Sequence, residues 1–233
     1  MLRWDFAEND RAQTERDTIG KIKVITAAKG HILGAAILGA GAGDQITTWA
    51  LAIAQRQVHE ADNLTDRHAA LQAIVNSPAP FKAELLLQMA RLWQNEPLLM
   101  NKWFALQATA PALEGEPPVL DRVRVLLRHS AYSEKNPNNV SALVLGFCNG
   151  NPAEFHRPDG SGYGFWVEQV GRLDRINPIV AARLARCLER WRRYAPERGE
   201  QMRAALEEVG RFSQLSRDVR EIIDRSLGAV AAA

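Results

Sequence analysis

Four groups of residues in this chain have types and spacings that could do chemistry. His59-Glu60-Ala61-Asp62-Asn63 is the first. H-E-x-x-H on one helix sets two imidazoles a turn apart on a divalent metal and leaves the glutamate to activate its water. Here the second ligand position holds Asn63, a poor zinc ligand, and His68 lies off the required face. A plain surface helix start is expected there, with no metal. Gly39-Ala40-Gly41-Ala42-Gly43-Asp44 is the second. It follows a strand pattern and precedes a helix, as a phosphate-cradling turn would. The negative charge of Asp44 would oppose a pyrophosphate at that helix N-terminus. No parallel strand with an acidic ribose partner follows, so a tight structural turn is expected. Gly160-Ser161-Gly162, the third, lacks the nucleophile-elbow pattern because Asp159 stands where the first glycine should be. His156 and Asp159 then belong to a polar turn.

The fourth group is the strongest charge feature: Arg183, Arg186, Arg190, Arg192, Arg193, Arg198 and Arg203, interleaved with Glu189, Glu197 and Glu200. One reading is a solvated helix face. The other is a concave positive wall that meets an anionic group such as a peptide carboxylate. Cys148 and Cys187 are the whole cysteine complement. They allow neither a disulfide framework nor a four-cysteine metal site.

The elements that must position these groups follow from periodicity. Gly20 to Thr26 alternates charged and β-branched residues, the period of a half-buried strand, and His31 to Gly39 reads as its hairpin partner across Lys29-Gly30. A helix from Asp44 to about Arg56 follows, with Asp44 as its cap and Ile46, Trp49, Leu51 and Ile53 as its buried side. Beyond residue 58 the pattern is helical throughout. Phe81, Leu85, Met89, Leu92 and Trp93 share one face; a helix opened by Pro97 carries Leu98, Trp103 and Leu106 inward; Val119 to Leu127 is another. Asn136-Pro137, Asn151-Pro152 and Asn177-Pro178 each read as a helix start, asparagine capping and proline at the position where its missing N–H costs nothing. Val180, Leu184, Cys187, Leu188 and Trp191 form the inner stripe after the last pair. Met202, Leu206 and Val209, then Val219, Ile222, Ile223 and Leu227, mark two further helices. Phe155 to Gly164 reads as a loop with Tyr163, Phe165 and Trp166 turned inward. The fold class expected is mainly α, stacked helix pairs of armadillo type, preceded by a small β-hairpin plus helix.

The 233 residues are 46% hydrophobic and 24% charged, with 29 basic against 27 acidic side chains. That balance excludes wholesale disorder and the dense basic footprint of a nucleic-acid binder. The stretch Ile32 to Ala54 is broken by glycines and Asp44, so it does not read as a membrane span. The first ten residues carry charges and no apolar run, unlike a secretory leader. A cytoplasmic protein without nucleic-acid or membrane partners is expected.

From His59 to Leu227 the chain resembles the C-terminal helical domain of the bacterial aminopeptidase N family, zinc-dependent alanyl aminopeptidases. The carrying segments are Ala61-Asp62-Asn63-Leu64-Thr65-Asp66-Arg67, Lys102-Trp103-Phe104-Ala105-Leu106-Gln107 and Asn136-Pro137-Asn138. With them stand Asn151-Pro152-Ala153-Glu154-Phe155-His156, Asp159-Gly160-Ser161-Gly162-Tyr163, Asn177-Pro178 with Ala182-Arg183-Leu184, and Met202-Arg203-Ala204-Ala205-Leu206. The resemblance implies a non-catalytic, armadillo-like bowl that caps a zinc-bearing catalytic domain and closes its peptide cavity. It places Arg183 at the cavity wall, meeting the C-terminal side of a peptide. Basic residues often follow the Asn-Pro-Asn in that family; Asn139 and Ser141 stand there here, which weakens that contact. The zinc ligands, the substrate-amine loop and the catalytic tyrosine of the family have no counterpart in this sequence. No autonomous catalysis and no cofactor are therefore expected of the chain, zinc belonging to the parent peptidase. The partners implied are an aminopeptidase catalytic domain, a peptide, or a second copy through the apolar surface an isolated bowl would expose.

From Phe6 to Gln57 the sequence is similar to part of the dimerisation domain of pyridine nucleotide-disulfide oxidoreductases. Glu8-Asn9-Asp10-Arg11-Ala12, Gly20-Lys21-Ile22-Lys23-Val24, Ile32-Leu33-Gly34-Ala35 and Trp49-Ala50-Leu51-Ala52 carry the likeness. The redox cysteines, the FAD and NAD domains and the acid-base histidine of that family have no counterpart here. The expected organisation is a reductase-type segment over 1–57 fused to the helical domain over 58–233. The alternative functions are a stand-alone helical peptide- or protein-binding module, or a remnant of a flavin-dependent reductase.

Overall fold

The computed structural model describes residues 1–8, 13–14, 16 and 18–228, the side chain of Asp44 excepted. Of the motifs above, Asn9-Asp10-Arg11-Ala12 lies outside the described residues. The chain divides into two compact units, Met1–Lys82 and Ala83–Ala233.

The first unit opens with a three-stranded antiparallel sheet, β1 (Leu2–Asp5), β2 (Gly20–Thr26) and β3 (Ile32–Gly39), in that order. The hairpin of β2 and β3 is the one expected, in the register Ile22 to Ile37. The third strand, β1, has only four residues, all exposed. It exists through pairing, Trp4 opposite Ile22 and Asp5 opposite Lys21, and so carries no periodic signal of its own. Phe6, buried directly after it, packs where Gly20 and Gly39 leave room: a Cβ at Gly39 would come within 2.5 Å of that ring.

Helix α1 (Ala42–Glu60) is longer than expected at both ends. Gly41, at φ 66°, occupies the position before its first residue, so Asp44 lies inside the first turn and is not the cap. The helix runs unbroken through residues 57 and 58. Ala54 and Val58 are its buried residues, while Ile46, Trp49, Leu51 and Ile53 are only half-buried. It packs on β3 and on α2 (Leu64–Val75), whose Ala70, Leu71, Ile74 and Val75 are buried.

The second unit is helical. Its elements are α3 (Lys82–Trp93, beginning on the last residue of the first unit), α4 (Pro97–Thr109), α5 (Val119–Leu126) and α6 (Pro137–Val140). A π turn, Ser141–Leu145, continues α6 into α7 (Gly146–Gly150), followed by α8 (Pro152–Phe155), α9 (Ser161–Asp174), α10 (Pro178–Ala185), α11 (Pro196–Gly210) and α12 (Arg217–Leu227). The π turn buries three successive residues, Leu143, Val144 and Leu145. A straight α-helix on a flat partner would bury one or two of them. The fold is mainly α with a small N-terminal sheet.

An aromatic column forms the centre. Phe147 meets Phe155 and Phe165 edge-on at 5.9 and 5.6 Å, and Phe155 meets Tyr163 at 5.6 Å. These are the edge-to-face geometries that the ring quadrupole favours. Leu92 and Leu98, expected inside, are 61% and 73% exposed, because α3 and α4 turn Leu86 and Met100 inward instead. The helix after Asn177 is also shorter than its apolar stripe. It stops at Ala185 and gives way to 3-10 turns at Arg186–Leu188 and Trp191–Arg193, leaving Cys187 and Trp191 half-buried. The loop expected over Phe155 to Gly164 is real only from His156 to Gly160; Ser161 already begins α9.

The three Asn-Pro starts divide by burial. Asn136 and Asn177 cap as expected, their side chains accepting from the N–H of Asn138 and Val180. Asn151 makes no side-chain cap. Buried at 4% exposure, it donates through Nδ2 to the carbonyls of Ala108 and Ala110, at 3.0 and 2.8 Å, closing the end of α4. Asn151→Ala leaves two buried carbonyls without their donor, at a cost of about 2–4 kcal/mol. Asn177→Ala removes a half-buried cap for about 1 kcal/mol. Urea unfolding of the two variants is expected to rank them in that order.

Candidate functional site

The site is a cleft between α10 and α12, about 390 Å³ in volume, lined by Ile179, Ala182, Arg183, Arg186, Asp218, Glu221, Ile222 and Arg225. Both walls are helical stripes. In α10, Val180, Ala181, Leu184 and Ala185 face the core. That turns the 179-182-183-186 face outward, at i, i+3, i+4, i+7 spacing. In α12, Val219, Ile222, Ile223 and Ser226 are buried, and 218-221-222-225 repeats the same spacing opposite.

What holds the walls is specific. Asn177 and Pro178 start α10; the buried indole of Trp166 in α9 donates to the Leu184 carbonyl at 2.8 Å and fixes its end. Ser216 caps α12 by accepting from the N–H of Val219, and its own N–H donates to Asp174 at 2.7 Å. At the far end the Trp191 indole and the Arg192 guanidinium both donate to the Ser226 carbonyl, at 2.9 and 2.7 Å. Arg192 also reaches the Leu227 carbonyl and lies 4.3 Å over the Trp191 ring. A cation on the last carbonyls of a helix satisfies orphan acceptors and opposes the helix dipole.

The arginine-rich run is therefore not one positive wall. Arg192 is a helix clamp. Arg203 pairs with Glu207 at 3.2 Å along α11. Arg225, within the cleft, is paired with Glu189 at 2.9 Å. Arg183 and Arg186 are exposed in the cleft and make no ion pair or hydrogen bond among the described residues. Facing them are two carboxylates, so the lining has both signs. The sequence reading missed Asp218 and Glu221, although the spacing of the 218-221-222-225 stripe is readable once α12 is recognised.

The other three groups come apart chemically. His59 lies in the last turn of α1, with Ala61 as that helix's C-cap, whereas Asn63 caps α2 and accepts from the N–H of Asp66. The H-E-x-x-N pattern thus spans two helices. Among the described residues no group of three or more His, Cys, Asp or Glu is placed to hold a metal ion. Asn63 in place of the second imidazole, on a different helix from His59, does not fit a zinc donor set. Gly39 and Gly41 take φ of 143° and 66° in the turn leading to α1, the structural role expected. Ser161 donates through both its N–H and its hydroxyl to Asp159, and these bonds hold that carboxyl below its ordinary value. His156 is not with them. Gly162 lets α9 start hard against α8, since a Cβ there would come within 2.1 Å of the Phe155 carbonyl. His156 is thereby tucked between two tyrosines, Nδ1 at 2.9 Å from the Tyr163 hydroxyl and Nε2 at 3.2 Å from that of Tyr194. Asn139, directly after the Asn136-Pro137-Asn138 run, is buried and bonded to Asn101 and to the N–H of Ser133.

Residues 27–228 match a family model described as a domain of unknown function (DUF3458_C) with ARM repeats. The chain belongs to that family. As an ARM-repeat domain of the DUF3458_C family, it is 43% identical over 175 residues to aminopeptidase N of Escherichia coli K12, covering 75% of this chain and 20% of that protein. It is 40% identical over 168 residues to aminopeptidase N of Caulobacter vibrioides, covering 72% and 19%. A crystal structure of Legionella pneumophila aminopeptidase A in complex with aspartic acid superposes with a TM-score of 0.70 at 29% identity, covering 79% of this chain and 22% of that one. The chain spans about one fifth of the length of these relatives. The reductase resemblance over 6–57 finds no support: the DUF3458_C match already takes in residues 27–57, which include β3 and most of α1. Short β-hairpin patterns recur in unrelated folds, which is why that likeness misled.

His156 generates a pH prediction. Burial, and then the charge of Arg198, hold its imidazole below the ordinary value of 6.5. The unfolded chain therefore takes up the proton first. The stabilisation is complete above 6.5 and is lost as pH falls below it through the folded value. His156→Gln is expected to melt below the wild type at pH 7.5, and the gap should narrow toward pH 5. Thermal unfolding across that range measures it.

Proposed function

We propose that this chain acts as the non-catalytic helical domain of a zinc-dependent alanyl aminopeptidase, capping a catalytic domain and shaping the cavity that holds the peptide. The observation that carries the reading is the identity of 40–43% to aminopeptidase N over about three quarters of the chain but only one fifth of the relatives. A domain with that share of an enzyme, and with no metal donor set among its described residues, contributes surface and not reaction chemistry. Its substrate class is then peptides with a free C-terminus. Arg183, unpaired at the mouth of the α10–α12 cleft, is the residue proposed to meet that terminus, as an exposed guanidinium offers two parallel donors to a carboxylate. The proposed compartment is the cytoplasm. Among the described residues no helix is long and apolar enough to cross a membrane.

The test is assembly followed by binding. Mixed with a separately produced aminopeptidase N catalytic fragment, the chain is expected to co-elute with it on size exclusion, while alone it hydrolyses alanyl-nitroanilide no faster than a metal-free blank. Arg183→Ala is expected to weaken binding of trialanine to the chain about five-fold, the effect of losing one charge-assisted contact in an exposed site. Separate elution together with unchanged binding would overturn the reading.

A further inference from the structure

The α10–α12 cleft holds four charges that nothing else in the fold uses. Arg183 stands on α10 and Arg186 at its C-cap, Asp218 and Glu221 on α12, and none of their side chains makes an ion pair or hydrogen bond among the described residues. Opposite charges on facing surface helices ordinarily meet, because two long side chains reach across easily and each pair gains a little. Here the helices are held at fixed ends, α10 by Trp166 and α12 by Trp191 and Arg192, and the charges line an open volume of about 390 Å³. Arg225 adds no net charge, being paired with Glu189.

A lining of two free cations and two free anions selects against simple ions. A bare carboxylate drawn to Arg183 and Arg186 is repelled by Asp218 and Glu221, and a bare amine meets the reverse. A ligand that carries both signs a few bonds apart satisfies all four groups. Between the walls lie Ile179, Ala182 and Ile222, an apolar strip of the kind on which methylene stems of long cationic side chains lie. The volume suits one or two residues of a peptide.

We propose that the cleft selects peptides ending in lysine or arginine, Arg183 and Arg186 taking the terminal carboxylate while Asp218 and Glu221 take the side-chain cation. This rests on the reading of Arg183 as the contact for a peptide C-terminus and adds the side-chain preference to it.

The experiment is a nuclear magnetic resonance titration of the full chain with Ala-Ala-Lys, Ala-Ala-Leu and Ala-Ala-Lys-amide, at low and at physiological salt. Ala-Ala-Lys is expected to bind about five-fold more tightly than Ala-Ala-Leu, and the amide to lose most of its affinity. The double variant Asp218→Asn with Glu221→Gln should equalise Ala-Ala-Lys and Ala-Ala-Leu while leaving Ala-Ala-Leu no weaker than in the wild type. Arg183→Ala should weaken both free-acid peptides. All three substitutions lie on exposed positions, and thermal unfolding confirms that the variants remain folded. Equal affinity of Ala-Ala-Lys and Ala-Ala-Leu for the wild type overturns the side-chain preference alone. Equal affinity of the amide and the free acid overturns the carboxylate contact beneath it, and absence of binding by all three peptides overturns both.

Discussion

A single hydrogen bond, from the buried indole of Trp166 to the carbonyl of Leu184, fixes much of the second unit. A fully buried indole N–H must find an acceptor, and a carbonyl in the last turn of a helix must find a donor. Each of the two groups solves the other's problem, and the cost of leaving either alone is about 1–3 kcal/mol. Because Leu184 follows Arg183, the bond sets both the end of α10 and the angle at which its outer face leaves the core. The same device recurs elsewhere. The Trp103 indole donates to the Leu86 carbonyl, tying α4 to α3, and the Trp191 indole donates to Ser226 at the end of α12. A polar handle on a large apolar body lets the core specify helix ends as well as helix faces.

The cleft follows from those fixed ends. Two amphipathic helices with buried stripes must turn their remaining faces somewhere, and here the remaining faces confront each other across open volume. The arginine-rich segment then divides by position. Arg192 is consumed by helix-end carbonyls, Arg203 and Arg225 by glutamates, and Arg183 and Arg186 are left without a partner among the described residues. Counting arginines along the sequence does not distinguish these fates, since each depends on which acceptor the fold brings within about 3 Å.

The family reading and the physical reading meet on this point. A domain that covers about one fifth of its relatives need not carry reaction chemistry to matter to a reaction. In the proposed role, a cavity wall with two signs of charge would contribute to specificity, which is a difference of binding energies between competing substrates.

Helix periodicity, the Asn-Pro starts and the strand alternation of Gly20 to Thr26 were legible in the sequence because each is a local rule: a face to bury, an orphan N–H to cap, a pleat to satisfy. The resemblance singled out Arg183, and the structure leaves it exposed in the cleft and unpaired among the described residues. What the sequence could not decide was anything that needs two distant segments at once. Strand β1 exists only against β2, and Asn151 gives up its cap for carbonyls more than forty residues away. Leu98 is outside because Met100 wins the core, and Asp218 with Glu221 become a wall only when α12 is laid opposite α10. The sequence by itself determined that the chain is mainly helical and where several helices begin, because periodicity and caps depend on near neighbours. The tertiary structure alone decided which charges remain unpaired and what they face, because pairing is a matter of distance in space.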